Sequence, residues 1–328
     1  MFRKNLFRRG MAALMSLVFI TAAPIVSQAA TNIDNRVIIS DTHPWLFLSG
    51  GDGESLETYQ RTNLFKPARL ERAAANIHNL KNDIAEATGA QFILMIVPGK
   101  ESIYSEYMPA DIPVMDNEGR TMQFIRYMHE HYPDVEIVYP YEEMMQAKEE
   151  YPGKVLYLES DNHWNFIGSF VGTRALLTRI ALLTGASYQP EHRDFVETGH
   201  SGGIDLANMM GLQGDYWSTM YQTPAREYTI LEETKDPATG DVIRHAAASE
   251  AGMRAEVPVN LYFIGDSFRH MMSQYLFEWA AKTTVVNRFY FNPDDMIAEK
   301  PNVVVYEMTD RHLGELTSLP GYNTAALN

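Results

Sequence analysis

The segment Leu261-Tyr262-Phe263-Ile264-Gly265-Asp266-Ser267-Phe268 runs an apolar strand into Gly-Asp-Ser and then a helix. A serine on such a turn holds its hydroxyl at a helix start. The first free amides there can donate to the oxyanion that forms when the hydroxyl attacks a carbonyl. Gly265 permits close backbone approach at the turn. Ordinary helix capping gives the same pattern, because Asp and Ser are preferred capping residues. Upstream, Asp161-Asn162-His163-Trp164-Asn165 places an Asp and a His two apart. In an extended segment they share a face, so the carboxylate can hold the imidazole in one tautomer while the ring acts as a base. Alone, this pair also fits a histidine packed at a strand end beside a surface aspartate. A metal site is a further reading of D-x-H. Without H-x-x-x-H and without cysteine it is set aside, and no cofactor is expected.

These residues need a frame. Gln91–Val97 is a continuous apolar run closed by Pro98-Gly99, the mark of a fully buried strand. Trp45–Leu48, Val135–Tyr139, Val155–Leu158, Asn260–Ile264, Thr283–Phe291 and Asn302–Tyr306 are further strand candidates. Residues 66–88 carry Leu70, Ala73, Ile77, Leu80 and Ile84 at helical spacing and end near Gly89; Phe166–Thr184 and Arg269–Lys282 also read as helices. The alternation predicts a mostly parallel sheet covered on both faces. In such sheets function collects at the carboxyl ends of the strands. The residues there are Lys100, then Glu159, Asp161 and His163, then Asp266 and Ser267, then Glu307 and Arg311. Residues 187–258 break the rhythm and read as an insertion over one end of the sheet, with a hairpin between Tyr228 and His245.

Composition narrows the classes. The chain has 328 residues, 45% hydrophobic and 21% charged, which describes a globular protein. It has no cysteine, which excludes disulfide frameworks, thiolate ligands and thiol nucleophiles. A formal charge of −15 argues against nucleic acid and anionic membrane surfaces as partners. Residues 1–29 combine Arg3, Lys4, Arg8 and Arg9 with an apolar run and Ser27-Gln28-Ala29, and they read as a signal peptide or signal anchor. The run is shorter than a spanning helix and contains Pro24. Cleavage after Ala29 removes four basic side chains and takes the charge from −15 to −19. Either way residues 30–328 are expected to be exported, to the periplasm or beyond it, as one α/β domain.

The Gly-Asp-Ser-Phe block with an upstream Asp-x-His-Trp-Asn resembles the SGNH hydrolase-like family of alginate-type polysaccharide O-acetyltransferases, whose members include AlgJ and AlgX. The resemblance spans most of the exported chain. It takes in Trp45–Leu48 with Gly50-Gly51-Asp52, Pro98–Pro109, Asp161–Gly168, Asp205–Leu212, Gly265–Phe268 and Tyr306–Arg311. It implies a three-layer α/β/α sandwich with circularly permuted motif order. Ser267 would be the nucleophile, His163 the general base and Asp161 its orienter. Acetyl would pass to Ser267 and then to a sugar hydroxyl or to water, with a membrane-bound O-acyltransferase as the partner that supplies it. The Gly and Asn that ordinary SGNH enzymes add to the oxyanion hole have no clear counterpart; Asn208 is a candidate by type. The chain ends soon after Arg311, an architecture closer to AlgJ than to AlgX-like members that append a carbohydrate-binding module.

The remaining candidates each carry a plainer reading. Trp164 and Tyr104 can stack on a sugar or belong to the core. Lys100 and Arg311 can bind an anionic group, or pair structurally with Glu307, which is favoured. The acidity of the body and the sparse basic residues near the triad favour a neutral or mixed exopolysaccharide as acceptor. The leading expectation is therefore an exported polysaccharide O-acetyltransferase. An acetylesterase on the same polymers uses identical chemistry, and an inactive scaffold subunit is the alternative if Ser267 is buried or His163 stands out of reach.

Overall fold

The computed structural model describes residues 36–203 and 205–319. The predicted signal segment lies outside the described residues. Strands β1 (Val37–Ile39) and β2 (Leu46–Leu48) pair with each other. The central sheet uses β3 (Gln91–Val97), β4 (Glu136–Val138), β7 (Thr229–Lys235), β8 (Val242–Ala248), β9 (Asn260–Gly265), β10 (Lys282–Asn287) and β11 (Val303–Thr309). A separate ribbon joins β5 (Val196–Gly202) to β6 (Trp217–Gln222). The sheet order is β4-β3-β11-β9-β10-β8-β7. Its first five strands are parallel, whereas β8 runs antiparallel to β10 and β7.

The apolar run of β3 is buried on both faces, as its continuity predicts. Ile93, Met95 and Val97 enter one core with the helices Tyr141–Glu150, Phe166–Thr184 and Arg269–Trp279. Phe92, Leu94 and Ile96 enter the other, with the helices Pro67–Thr88 and Gly119–His131. β9 splits its side chains the same way, Leu261 and Phe263 against Tyr262 and Ile264. The result is three layers, α/β/α. The helix Pro67–Thr88 starts on proline, which fits the first turn, and stops at Gly89, whose φ of 74° is left-handed. The helix Phe166–Thr184 is apolar and long enough to cross a membrane by composition, but it packs in the core.

Three expectations change. Val155–Leu158 is not a strand of the sheet. It folds back on its own continuation, with a single antiparallel bridge between Tyr157 and Trp164, and the amide of Leu158 donates to His163 O at 3.0 Å. A buried apolar run cannot reveal whether its ladder partner is the sheet or the next turn of chain. The predicted hairpin is present as β7 and β8, but it extends the edge of the sheet instead of lying over its end. The strand expected over Thr283–Phe291 stops at Asn287, whose side chain caps a 3₁₀ turn, Arg288–Tyr290.

Candidate active site

The five parallel strands deliver their carboxyl ends to one edge, and β9 lies among them between β11 and β10. Gly265 ends β9 where only glycine fits: a Cβ there would lie 2.4 Å from Glu307 Oε2 and 2.7 Å from the Phe263 ring. The next residue anchors the turn. The Asp266 amide donates to Glu307 Oε2 at 3.0 Å. Its carboxylate accepts from the Phe268 amide at 2.9 Å and, through the other oxygen, from the Thr309 amide at 2.9 Å and Thr309 Oγ1 at 3.1 Å. Burial would raise the Asp266 carboxyl, but the Arg311 charge and these amides hold it below its ordinary value. Glu307, beneath the turn, is raised well above the carboxylate range by burial and by the Asp266 charge. Asp266 is thus committed to the fold of the turn, and Ser267, partly exposed, is left free for chemistry.

The other half of the site comes from the folded-back loop. Lys100, 1% exposed at the end of β3, points its ammonium into that loop. Its Nζ donates to the carbonyls of Leu158 and Glu159, each at 3.1 Å, and to that of Asp161 at 2.5 Å. Burial lowers its pKa to about 8, a shift that nearby carboxylates partly oppose. Tyr104 Oη accepts from the Leu156 amide at 2.8 Å. Glu159 accepts from the Thr219 amide at 2.8 Å and Thr219 Oγ1 at 2.6 Å, tying the loop to β6. Asn165 then caps the helix Phe166–Thr184, accepting from the amides of Ile167 and Gly168 at 2.9 and 3.2 Å.

So held, Asp161 Oδ1 is 2.7 Å from His163 Nδ1 and also accepts the His163 amide at 2.9 Å. His163 Nε2 is 2.7 Å from Ser267 Oγ. Nδ1 therefore carries the proton given to Asp161, and Nε2 accepts from the serine hydroxyl. Burial alone would lower the His163 pKa, but Asp161, reinforced by Asp205 with its Oδ2 at 4.0 Å from Nδ1, raises it above the ordinary histidine value. Asp205 is held in turn by a hydrogen bond from the Asn162 side-chain amide. Ser267 also opens onto a cavity of about 240 Å³ whose lining includes Asp266, His270, Asn287, Phe289 and Arg311. Among the described residues the Ser267 amide has no hydrogen-bond partner, which leaves it able to donate to an oxyanion. A hydroxyl, a base in contact with it, an orienting carboxylate and a free amide suit acyl transfer through serine.

The donor atoms of Asp161, His163 and Asp205 lie within 4.8 Å of one another, a spacing that would also admit a cation. Two of the three are already hydrogen-bonded together, and the buried Lys100 charge lies behind Asp161, which suits a hydrogen-bonded pair better than a second cation.

The other sequence candidates divide differently. Trp164 is wholly buried; its Nε1 donates to Phe268 O at 3.0 Å, and Gly172 leaves room for its ring. Tyr104 is stacked among Trp45 and Tyr107. Neither ring faces solvent, so both position the loop and the Ser267 turn from behind and neither is a sugar platform. Lys100 likewise binds carbonyls, so it is not a seat for an anion, and Glu307 is not its partner. Arg311 does line the cavity, but its guanidinium is paired with Asp52 at 2.8 Å and not with Glu307. Asn208 is exposed on the short helix Asp205–Met210 and is not part of the cavity lining. Asp205, beside His163, and Phe289, at the cavity, are two residues that no local pattern marks for the site. The polar pair Asn287-Arg288 before Phe289 ends a strand that the aromatic residues after it made appear to continue.

The same fold is found in Bacillus cereus PatB1 (TM-score 0.62, 16% identity, covering 86% of this chain and 99% of that one). It is found again in the O-acetyltransferase domain of Pseudomonas putida AlgJ (TM-score 0.58, 18% identity, 89% and 97% covered). Pseudomonas aeruginosa AlgX is more distant, with a TM-score of 0.50, 12% identity and 86% and 65% covered. No curated protein matches the chain at a significant level. Residues 40–282 match the profile of the SGNH hydrolase-like domain of the acetyltransferase AlgX, and the chain belongs to that acetyltransferase family.

Proposed function

We propose that this protein is an exported O-acetyltransferase that carries acetyl on Ser267 and delivers it to hydroxyls of an extracellular polysaccharide. The observation that supports this most is the unbroken chain Asp161–His163–Ser267, with 2.7 Å at each link and the serine open to a cavity. In the first half-reaction His163 Nε2 takes the Ser267 proton as Oγ bonds to the acetyl carbonyl carbon. The tetrahedral oxyanion accepts from the Ser267 amide, and collapse expels the donor oxygen, which takes the proton from His163. In the second half-reaction an acceptor hydroxyl gives its proton to His163, its oxygen bonds to the acetyl carbon, and Ser267 leaves and regains the proton. Asp161 stays ionised throughout and steadies the imidazolium. A scaffold role is disfavoured because Ser267 is not buried and His163 is within hydrogen-bond reach.

The basic and apolar N-terminal segment Arg3–Val26 fits delivery across a membrane, and retention of that segment would place the site beside a membrane-bound acyltransferase donating acetyl. The test is product partition: the protein is given an activated acetyl ester with and without oligosaccharides. Acetylated sugar formed at the expense of acetate supports transfer. Acetate release unchanged by any oligosaccharide would make the protein an esterase.

A further inference from the structure

We propose that Phe289 is the stacking surface for an uncharged pyranose of the acceptor, at the mouth of the Ser267 cavity; this rests on the acyl-transfer reading above. β10 lies beside β9 with Asn287 opposite Gly265, so the residues after the two strands emerge side by side. Phe289 is therefore brought to the nucleophile by strand register, and it lines the same cavity. The ring is 66% exposed. A phenylalanine left this exposed forgoes most of the gain of apolar burial, and it does so on a turn whose neighbours are each hydrogen-bonded or ion-paired. Asn287 Oδ1 accepts the Phe289 amide at 2.9 Å. The guanidinium of Arg288, 4.6 Å from the ring centroid, backs the ring and is fixed by Glu315 at 2.6 Å. Tyr290, next along, donates its hydroxyl to Asp236 on the hairpin turn. A rigid ring carrying a cation on one side and open on the rest is a preorganised platform. Its negative face attracts the weakly positive C–H groups of a sugar ring.

The charge of the rim selects the sugar. Each arginine lining the cavity has its own carboxylate: Arg311 with Asp52 at 2.8 Å, Arg269 with Asp241 at 3.2 Å, Arg288 with Glu315 at 2.6 Å. His270 is 3.0 Å from Asp241, and His312 is 2.7 Å from Glu315. The Nε atoms of Arg288 and Arg311 lack partners but are enclosed and do not reach the cavity surface. Among the described residues that line the cavity no arginine is left without a carboxylate to seat a uronate, and the ionised Asp266 opposes one. Asn287, His270 and Asp241 instead offer neutral and mixed hydrogen-bonding groups for hydroxyls. The volume, about 240 Å³, is below the ~300–1,000 Å³ usual for larger ligands and suits one ring at a time.

The test uses full-length protein, a panel of neutral gluco-, manno- and galacto-oligosaccharides, and mannuronate oligomers. Ser267→Ala protein and its Phe289→Ala and Phe289→Trp derivatives are titrated by saturation-transfer NMR, so that binding is read without chemistry. Neutral oligomers are expected to bind, Phe289→Ala to weaken that binding at least about tenfold, and Phe289→Trp to keep it; mannuronate oligomers are expected to bind poorly. In the catalytically intact background Phe289→Ala lowers the ratio of transfer to hydrolysis by a similar factor. Equal binding by Phe289→Ala, preference for mannuronate, or no neutral binding would overturn the inference. Phe289-dependent binding with no acetylation of Ser267 would instead sink the transfer reading and leave the platform standing.

Discussion

The imidazole of His163 is poised between two opposed effects. Burial disfavours its charged form, while the Asp161 carboxylate 2.7 Å from Nδ1, aided by Asp205, favours it. The second effect wins, so the folded pKa lies above the ordinary histidine value of ~6.5. A general base works only when neutral, and activity should therefore rise with pH through a titration above that value. Asp161→Asn removes the carboxylate and lets burial dominate, so the acid limb should move to lower pH while kcat falls by about 10³–10⁴-fold. A pH–rate profile that shifted upward in this variant would contradict the assignment. Asp205→Asn should move the limb in the same direction by less. Lys100 is the reverse case, a buried cation valuable for the three carbonyls it holds. Lys100→Met fills the volume but leaves the Asp161 carbonyl without a donor. Glu159 O keeps the Leu46 amide at 2.9 Å, and Leu158 O only the Asp161 amide at 3.5 Å. An orphaned buried acceptor costs about 1–3 kcal/mol. The expected result is a thermal midpoint lower by several degrees or more, together with loss of activity as the Asp161 loop moves. Its place in Pro98-Gly99-Lys100 suggested a cation at the strand end. Its inward direction could not be read, because a lysine stem follows either an exposed or a buried course from the same backbone position.

Strand ends and turns do the assembling. The Ser267 turn depends on β9 and β11 through Gly265, Asp266, Glu307 and Thr309. Gly265→Ala would force a methyl into Glu307 and Phe263, so it should cost about 1–3 kcal/mol by overpacking and lose acylation because the turn must shift. Glu307→Gln, which keeps the shape and an acceptor for the Asp266 amide, should keep the melting temperature within a few degrees, whereas Glu307→Ala should not; differential scanning calorimetry separates them. Much of this scaffold is written in the sequence. The uninterrupted Gln91–Val97 run gives β3 to the residue. Asn165 before and Gly185 after give the helix Phe166–Thr184 its observed ends. Ser267 stands out because it follows the end of β9, and Asp161 and His163 because they stand two apart, although the run before them is no strand of the sheet. Pairings with distant partners are what local pattern lacks. Val155–Leu158 found its partner in the next turn of chain, and β8 joined the sheet through β10, choices made by packing after the local preferences are satisfied.

Across the molecule, many carboxylates are stabilised by cations and so tie the fold to pH. Hydrogen bonding to Arg174 lowers Glu150 to about 2, and a hydrogen bond to His270 lowers Asp241 to about 2. Glu315 reaches about 2 despite burial, through His312 and Arg288. Each folded pKa lies below its unfolded value, so the stability these groups contribute is present above about pH 4 and is lost as pH falls toward 2. Thermal unfolding followed by circular dichroism should show a plateau above pH 5 and a steep fall below pH 4; a flat profile to pH 3 would contradict it. The α/β/α layers place the buried Lys100 and Asp161 behind the site and an open cavity in front of it, onto which Ser267 opens. The most direct measurement is therefore peptide-level mass spectrometry after brief exposure of wild type and Ser267→Ala to an activated acetyl ester. A single acetyl on the Ser267 peptide, absent from the variant and from His163→Ala at early times, is the predicted result. No adduct in the wild type, or equal labelling of the variant elsewhere with equal ester turnover, would contradict nucleophilic catalysis by Ser267.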